Sequence, residues 1–379
     1  MRPRTAITIL IAIALITLAI LGGCSWRRKQ PKPDILPTPE SAQSMTIFPG
    51  AETTPLPTAA ALPQIVRPLL PTVSADNLPT PLPGEGEPPT PVPGSSDIPS
   101  SLRDTENILV LGSDQRSATG AWRTDVIMIV ALDYKKERMG VISLPRDLWV
   151  QIPGVGNERI NTADFYGSLR KDKNSKPRDG VELLKETLRQ NMGIPIQHYV
   201  RVDFNVFKSA VDALGGITIT VDCPLDDPHW DTPGQRWQVK PGETFMQGED
   251  ALRFVRTRHV GTDLDRARRQ QRALLAMRDR ALQINIWPRI PTLYREFRDK
   301  VITDLGPLQI IELAQFGMRL RPENIHGFVV GRPMVRDWVT GKGAMVLLPD
   351  FRQIRSAIEA IFNSPPLALT NDRSGRCPQ

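Results

Sequence analysis

Arginines gather between Arg253 and Arg272, in the run RFVRTRHVGTDLDRARRQQR, as two groups separated by a short segment that carries Asp263 and Asp265. Guanidinium groups repel one another unless an anion lies between them, and the planar arginine fork grips carboxylate or phosphate oxygens two at a time. The chemistry implied is the holding of a polyanion: a nucleic-acid backbone, a phosphate compound, or only the solvent around a charged helix face. Upstream, Asp114 and Asp125 bracket a loop that carries Arg116 and Arg123, and Arg146 follows Pro145 in the phrase SLPRD. Carboxylate oxygens suit a hard divalent cation, Mg²⁺ with Mn²⁺ as the alternative, which takes one or two carboxylates and completes its shell with phosphate oxygens and water. Read alone, the two aspartates are equally turn formers or strand caps, and Arg116 is equally a solvated surface charge.

These residues need a frame to hold them. Residues 107–112 (NILVLG), 126–132 (VIMIVAL) and 139–144 (MGVISL) are short, apolar and bounded by glycine, charge or proline, which predicts buried strands. If they are neighbours, Asp114 beyond the first and Asp125 before the second meet at one sheet edge, together with Arg146 at the end of the third. Such edges are where α/β folds place ligands. Apolar spacing predicts helices over 180–190, 206–214, 265–284, 291–300, 308–320 and 350–362, and further strands over 217–221 and 328–330. The fold class expected is α/β: a central mixed sheet with helices on both faces, in three α-β-α layers.

Around this domain, read as 102–363, composition changes sharply. Arg2 and Arg4 precede an apolar run from Ala6 to Leu21, which reads as an export signal or membrane anchor over 1–24. Leu21-Gly22-Gly23-Cys24 looks like a lipobox, with Cys24 the lipidated residue, but the run is also just long enough to span a bilayer uncleaved. Either way the remainder faces outside the cytoplasm, tethered to the outer face of the membrane. Residues 25–101 contain about half of the chain's 36 prolines and no apolar periodicity, and are read as an extended linker. Residues 364–379 are a tail. With Cys24 lipidated, Cys223 and Cys377 remain, either as a disulfide or as two lone thiols. The formal charge of +7 favours an acidic ligand or surface.

Taken in order, GSDQR, WRTD, GVISLPRD, ERINTADFYG, VDFNVFKSAVDALGGITITV, ALRFVRTRH and DLDRARRQQ resemble the LytR-CpsA-Psr family across residues 107–282. No single motif is specific, but the combination is. The resemblance implies an extracytoplasmic transferase. It would move a phosphate-linked glycopolymer from a polyprenyl diphosphate carrier to a hydroxyl of peptidoglycan. It further implies Asp114 and Asp125 as metal residues and a diphosphate clamp of Arg123, Arg146, Arg256, Arg258, Arg266 and Gln270, to which Arg116 is added for its place in the same loop as Arg123. Arg123, Arg146 and Asp263 would be catalytic, Asp263 either as base for the acceptor hydroxyl or as the residue that orients the arginines. Two positions depart from the family pattern: Thr124 where serine is usual, and DLDR where DFGR is common, which puts Asp265 beside Arg266. The lipid chain would need an apolar slot, which the helices near 206–214 and 273–284 could line, although each of their residues reads equally as core.

Other chemistries find little support. Aspartates inside the arginine cluster would repel a nucleic-acid backbone, and no helix-turn-helix, zinc or RNP pattern is present, so nucleic acid is not expected as a partner. There is no P-loop and no HExxH, and none of the four histidines stands at ligand spacing. Two rivals remain open: a hydrolase of the same diphosphate bond, and a non-catalytic wall-glycan binding module.

Overall fold

The structure, a computed structural model, describes residues 85–86, 97–113, 124–170, 180–228, 236–257, 261–286, 290–297, 299–341, 343–370 and 377. The segment 1–24 with Cys24, nearly all of 25–101, and the site candidates Asp114, Arg116, Arg123 and Arg258 lie outside the described residues. Among those described, no helix is long and apolar enough to cross a membrane.

In chain order, β1 (Glu106–Ser113), β2 (Thr124–Asp133), β3 (Arg138–Leu144) and the hairpin β4 (Trp149–Ile152) and β5 (Gly156–Arg159) lead into α1 (Ala163–Ser168) and α2 (Val181–Met192). Then come β6 (His198–Asp203), α3 (Phe204–Ala213), β7 (Ile217–Val221), β8 (Gly242–Met246), α4 (Gly248–Arg256) and α5 (Asp263–Gln283). The last part holds α6 (Ile290–Phe297), β9 (Ile302–Thr303), α7 (Pro307–Arg319), β10 (Ile325–Val329), β11 (Val335–Thr340), β12 (Met345–Pro349) and α8 (Phe351–Glu359).

The central sheet has six strands in the order β9-β6-β1-β2-β3-β10. β6 runs parallel to β1 and β10 parallel to β3, whereas β2 runs antiparallel to both β1 and β3, so the sheet is mixed. The three apolar runs are therefore neighbours. Strand side chains alternate between faces, and in β2 both sets are apolar, which is why its run is continuous. Met128, Val130 and Leu132 enter one buried cluster with Val206 and Val211 of α3, Leu252 of α4 and Met277 of α5. Ile127, Ile129 and Ala131 enter the other, with Ala163 of α1, Leu184 and Leu188 of α2, and Ile354 of α8. Each such Leu or Ile contributes about 1.5–3 kcal/mol by leaving water, so both helical layers are held chiefly by this strand and its neighbours. The 217–221 strand does form, but it pairs antiparallel with β8 in a separate two-stranded ribbon and not with the central sheet. Of the two readings of Cys223 and Cys377, the disulfide is the one formed; it ties position 377 to the residues just after β7.

Candidate active site

One edge of the central sheet collects the ends of β1, β3 and β6 and the start of β2. The β1–β2 ladder runs without interruption from Glu106↔Leu132 to Gly112↔Val126, then shifts so that Ser113 pairs with Thr124. Asp125 is the extra residue of a β-bulge, a device that bends a strand and re-aims side chains. Gly112 permits it, since a Cβ there would lie 2.8 Å from the Val126 side chain. As a result Thr124, fully buried, turns to the α1 face and bonds to Asp164, while Asp125 and Val126 both line a cavity on the other face.

Asp125 Oδ1 accepts a 2.7 Å hydrogen bond from Arg146, which leaves β3 through Pro145. Arg146 Nε lies 3.3 Å from Asp263 and 3.4 Å from Asp147, so three carboxylates converge on one guanidinium. Burial opposes that charge, but the hydrogen bond to Asp125 and the charges of Asp125, Asp147 and Asp263 outweigh it and raise the Arg146 pKa above the ordinary arginine value. Asp263 begins α5, and its Oδ2 also accepts from Arg266 at 3.1 Å. One carboxylate oxygen thus faces Arg146 and Arg266 together.

The departure at Asp265 has a local explanation. Thr262 caps α5 and accepts from the Asp265 backbone, while Asp265 Oδ2 accepts from the Thr262 N–H at 2.8 Å, closing a reciprocal capping box. Gly261 just before it has φ +92° and is packed so that a Cβ would meet the Asp265 carboxylate at 2.8 Å. Asp265 is thereby committed to starting the helix, and it also pairs with Arg268 at 3.0 Å.

Arg266 and Gln270 follow one turn apart on α5, and both line a cavity of about 270 Å³ with Asp125, Asp203 and Arg256. The Arg256 guanidinium sits 4.3 Å over the Phe204 ring, a cation–π contact that holds it at the mouth. Away from the sheet edge the lining becomes apolar: Val110 and Met128 from the strands, Phe207 from α3, Leu252 from α4, Leu274 and Met277 from α5. The cavity is charged at one end and oily for the rest.

Of the residues singled out in the sequence, Asp125, Arg146, Asp263, Arg256, Arg266 and Gln270 therefore meet around one opening, whereas Asp114, Arg116, Arg123 and Arg258 fall outside the described residues. Four other arginines of the same stretch are engaged elsewhere: Arg253 faces Glu249 and Asp250, Arg268 pairs with Asp265, and Arg272 pairs with Asp222 at 3.0 Å. Arg269 is buried, which lowers its pKa to about 10, and donates to the Thr257 carbonyl. Sequence reasoning missed Asp203 and Asp147. Asp203 caps α3, accepting from the Val206 N–H at 2.8 Å, and also lines the cavity; Asp147 links Arg146 to Arg159. A carboxylate directly after a strand and before an apolar helix was the available signal for Asp203.

Comparison with known proteins gives a consistent picture. The sequence matches the LytR_cpsA_psr family over residues 88–356. It is 31% identical over 192 residues to the polyisoprenyl-teichoic acid–peptidoglycan teichoic acid transferase TagT of Bacillus subtilis, covering 49% of this chain and 56% of that protein. It is 30% identical over 217 residues to the regulatory protein MsrR of Staphylococcus aureus, covering 56% of this chain and 61% of that protein. The matched region thus spans little more than half the length of these relatives. Among solved structures, B. subtilis TagV aligns with a TM-score of 0.55 at 26% identity, over 70% of this chain and 99% of that one.

Proposed function

The chain belongs to the LytR-CpsA-Psr family, and we propose that it transfers a phosphate-linked glycopolymer from a polyprenyl diphosphate carrier to a hydroxyl of peptidoglycan. The name of TagT describes a reaction of this kind for that protein. The observation that carries the reading is the division of the cavity: charged at the sheet edge, apolar behind it, as a diphosphate joined to an isoprenoid chain requires.

In this reading the acceptor hydroxyl attacks the glycan-side phosphorus and gives up its proton to solvent, the bond from that phosphorus to the bridging oxygen breaks, and polyprenyl phosphate leaves while a new phosphodiester forms. Negative charge grows on the bridging oxygen, and phosphoryl transfer is assisted mainly by placement and charge neutralisation. Arg146, Arg256 and Arg266 supply the positive charge, and Gln270 a neutral hydrogen-bonding group; Arg123 and Arg258 join the clamp by their place in the family motifs, and Arg116 by its place in the loop between Asp114 and Asp125. Asp263, with one oxygen facing two guanidiniums, serves to hold Arg146 and Arg266 in register. The donors available to a cation are hard carboxylate oxygens, and Arg146 bonds Oδ1 of Asp125, so Asp125 fits Mg²⁺ through Oδ2, with Asp114 joining it by its place in the family motif. The ion would neutralise diphosphate charge. Asp125→Ala is expected to abolish Mg²⁺-dependent turnover with the melting temperature retained; undiminished turnover would remove the metal assignment. The segment 1–24 would keep the protein at the outer face of the membrane, where carrier and wall meet.

The deciding experiment incubates the full-length protein in proteoliposomes with a polyprenyl-diphosphate-linked glycan, Mg²⁺ and peptidoglycan, and identifies the products. A phosphodiester adduct on peptidoglycan is expected. Free phosphorylated glycan with no adduct would make the protein a hydrolase, and binding without turnover would make it a wall-glycan module.

A further inference from the structure

On the face of the sheet away from the cavity lies a charged pair that the proposed reaction does not use. Asp164 of α1 is 0% exposed and Arg201 of β6 8% exposed, and the guanidinium meets Asp164 Oδ1 at 2.6 Å. Asp164 Oδ2 accepts a 3.1 Å hydrogen bond from the Thr124 hydroxyl. The pair is clamped sterically as well: a Cβ on Gly180 would fall 1.7 Å from the Asp164 carbonyl, so the start of α2 presses directly on α1.

Burying two charges is costly, and a well-packed apolar pair of similar volume is often as stable or more so. What an apolar pair lacks is a directed acceptor. Thr124 immediately precedes Asp125 in the bulge, so a fixed acceptor for its hydroxyl fixes the backbone from which Asp125 projects to Arg146. The same segment holds the other partner. Arg159 Nε lies 3.4 Å from Asp147, Ile160 N–H bonds the Leu148 carbonyl at 2.8 Å, and Asn161 N–H bonds the Arg146 carbonyl at 3.3 Å. Residues 159–164 therefore touch both sides of the Asp125–Arg146 contact: Arg146 through the main chain, and Asp125 through Asp164 and Thr124.

We propose that Asp164, anchored by Arg201, is a positioning residue of this site, which through the Thr124 hydroxyl sets the β-bulge that turns Asp125 toward Arg146. The proposal rests on the reading of this edge as the transfer site. Removing Asp164 or Arg201 would leave a buried charge unpaired, whereas removing the Thr124 hydroxyl keeps their ion pair, so the test compares Thr124→Val, which keeps volume, with Thr124→Ser, which keeps the hydroxyl.

In the full-length protein Thr124→Val is expected to lower kcat by about 10–100-fold, the range seen when a group supporting a ligand is lost. The KM for the lipid donor and the melting temperature should stay at wild-type values, and Thr124→Ser should restore kcat. Unchanged turnover in Thr124→Val overturns the proposal. So does equal loss in the valine and serine variants, or a loss that follows a fall in melting temperature. If wild-type protein yields only free phosphorylated glycan, the transferase reading fails, and the Thr124 comparison is read on that hydrolysis instead. A crystal structure of Thr124→Val decides independently of turnover: the Asp125–Arg146 hydrogen bond should be lost, and its retention at the wild-type distance overturns the proposal.

Discussion

The two faces of the central sheet are built from the same strands yet packed to different ends. Toward α1, α2 and α8 the side chains packed against the sheet are sealed: Ile127, Ile129, Leu184 and Ile354 are all within 1% of complete burial, and the polar pair beneath the site is enclosed. Toward α3, α4 and α5 the sheet leaves a cavity of about 270 Å³, its walls apolar and its mouth charged. Interiors ordinarily pack like organic crystals, and unfilled volume forfeits dispersion contacts. An open face is sustainable because the same strands are gripped from behind. The contrast teaches that the cavity and the sealed packing lie on opposite sides of β2, and that its bulge joins the two sides.

That division can be broken by substitution. Leu184→Ala, on the closed face, is expected to cost about 2–5 kcal/mol of stability, read by urea denaturation, with the KM for the lipid donor unchanged. A rise in KM of the same size would mean that the faces are not separate. Arg146→Ala should lower kcat about 10²–10³-fold, or about 2.7–4 kcal/mol of transition-state stabilisation, with a melting temperature near wild type. Leu274→Trp fills the open face. The donor KM is expected to rise about tenfold, about 1.4 kcal/mol, while stability holds or improves. If the KM stays put, the cavity does not receive the donor. Arg268→Ala, which removes a partner of Asp265 on the helix, should change both stability and turnover by less than about 0.5 kcal/mol; a large loss would bring this arginine into the site.

The same contrast explains what could be read from sequence. β1, β2 and β3 were legible because they are apolar on both faces, and α2, α3 and α5 because their burial follows helical spacing. β6 was not, although it sits beside β1 in the sheet. Its sequence HYVRVD hides the alternation, since Arg201 occupies an inward position where it meets Asp164 rather than an apolar neighbour. α4 begins with Gly248, Glu249 and Asp250, and the hairpins β4–β5 and β11–β12 are too short for periodicity to register. The arginine stretch showed its charge but not its division of labour. Arg256, Arg266 and Gln270 could be assigned only through the family resemblance, and that Arg269 is buried against the Thr257 carbonyl is a property of the α4–α5 crossing, invisible in the chain. Asp265 looked like a departure from a loop pattern and is instead half of a helix cap. Sharing of Asp263 between Arg146 and Arg266, residues far apart in sequence, is likewise a tertiary fact.

The extra residue at Asp125 also acts as a phase shift. Side chains along a strand obey a two-beat rhythm, and Thr124, just upstream of the bulge, sits on the opposite beat from the one that Ile127 and Ile129 keep. Paired without the bulge, with Ser113 opposite Asp125, the strand would keep its core while exchanging the faces of Thr124 and Asp125. The chemistry of this edge is thus set by register, and a slip of one residue there would rewrite the site without altering any of its residue types.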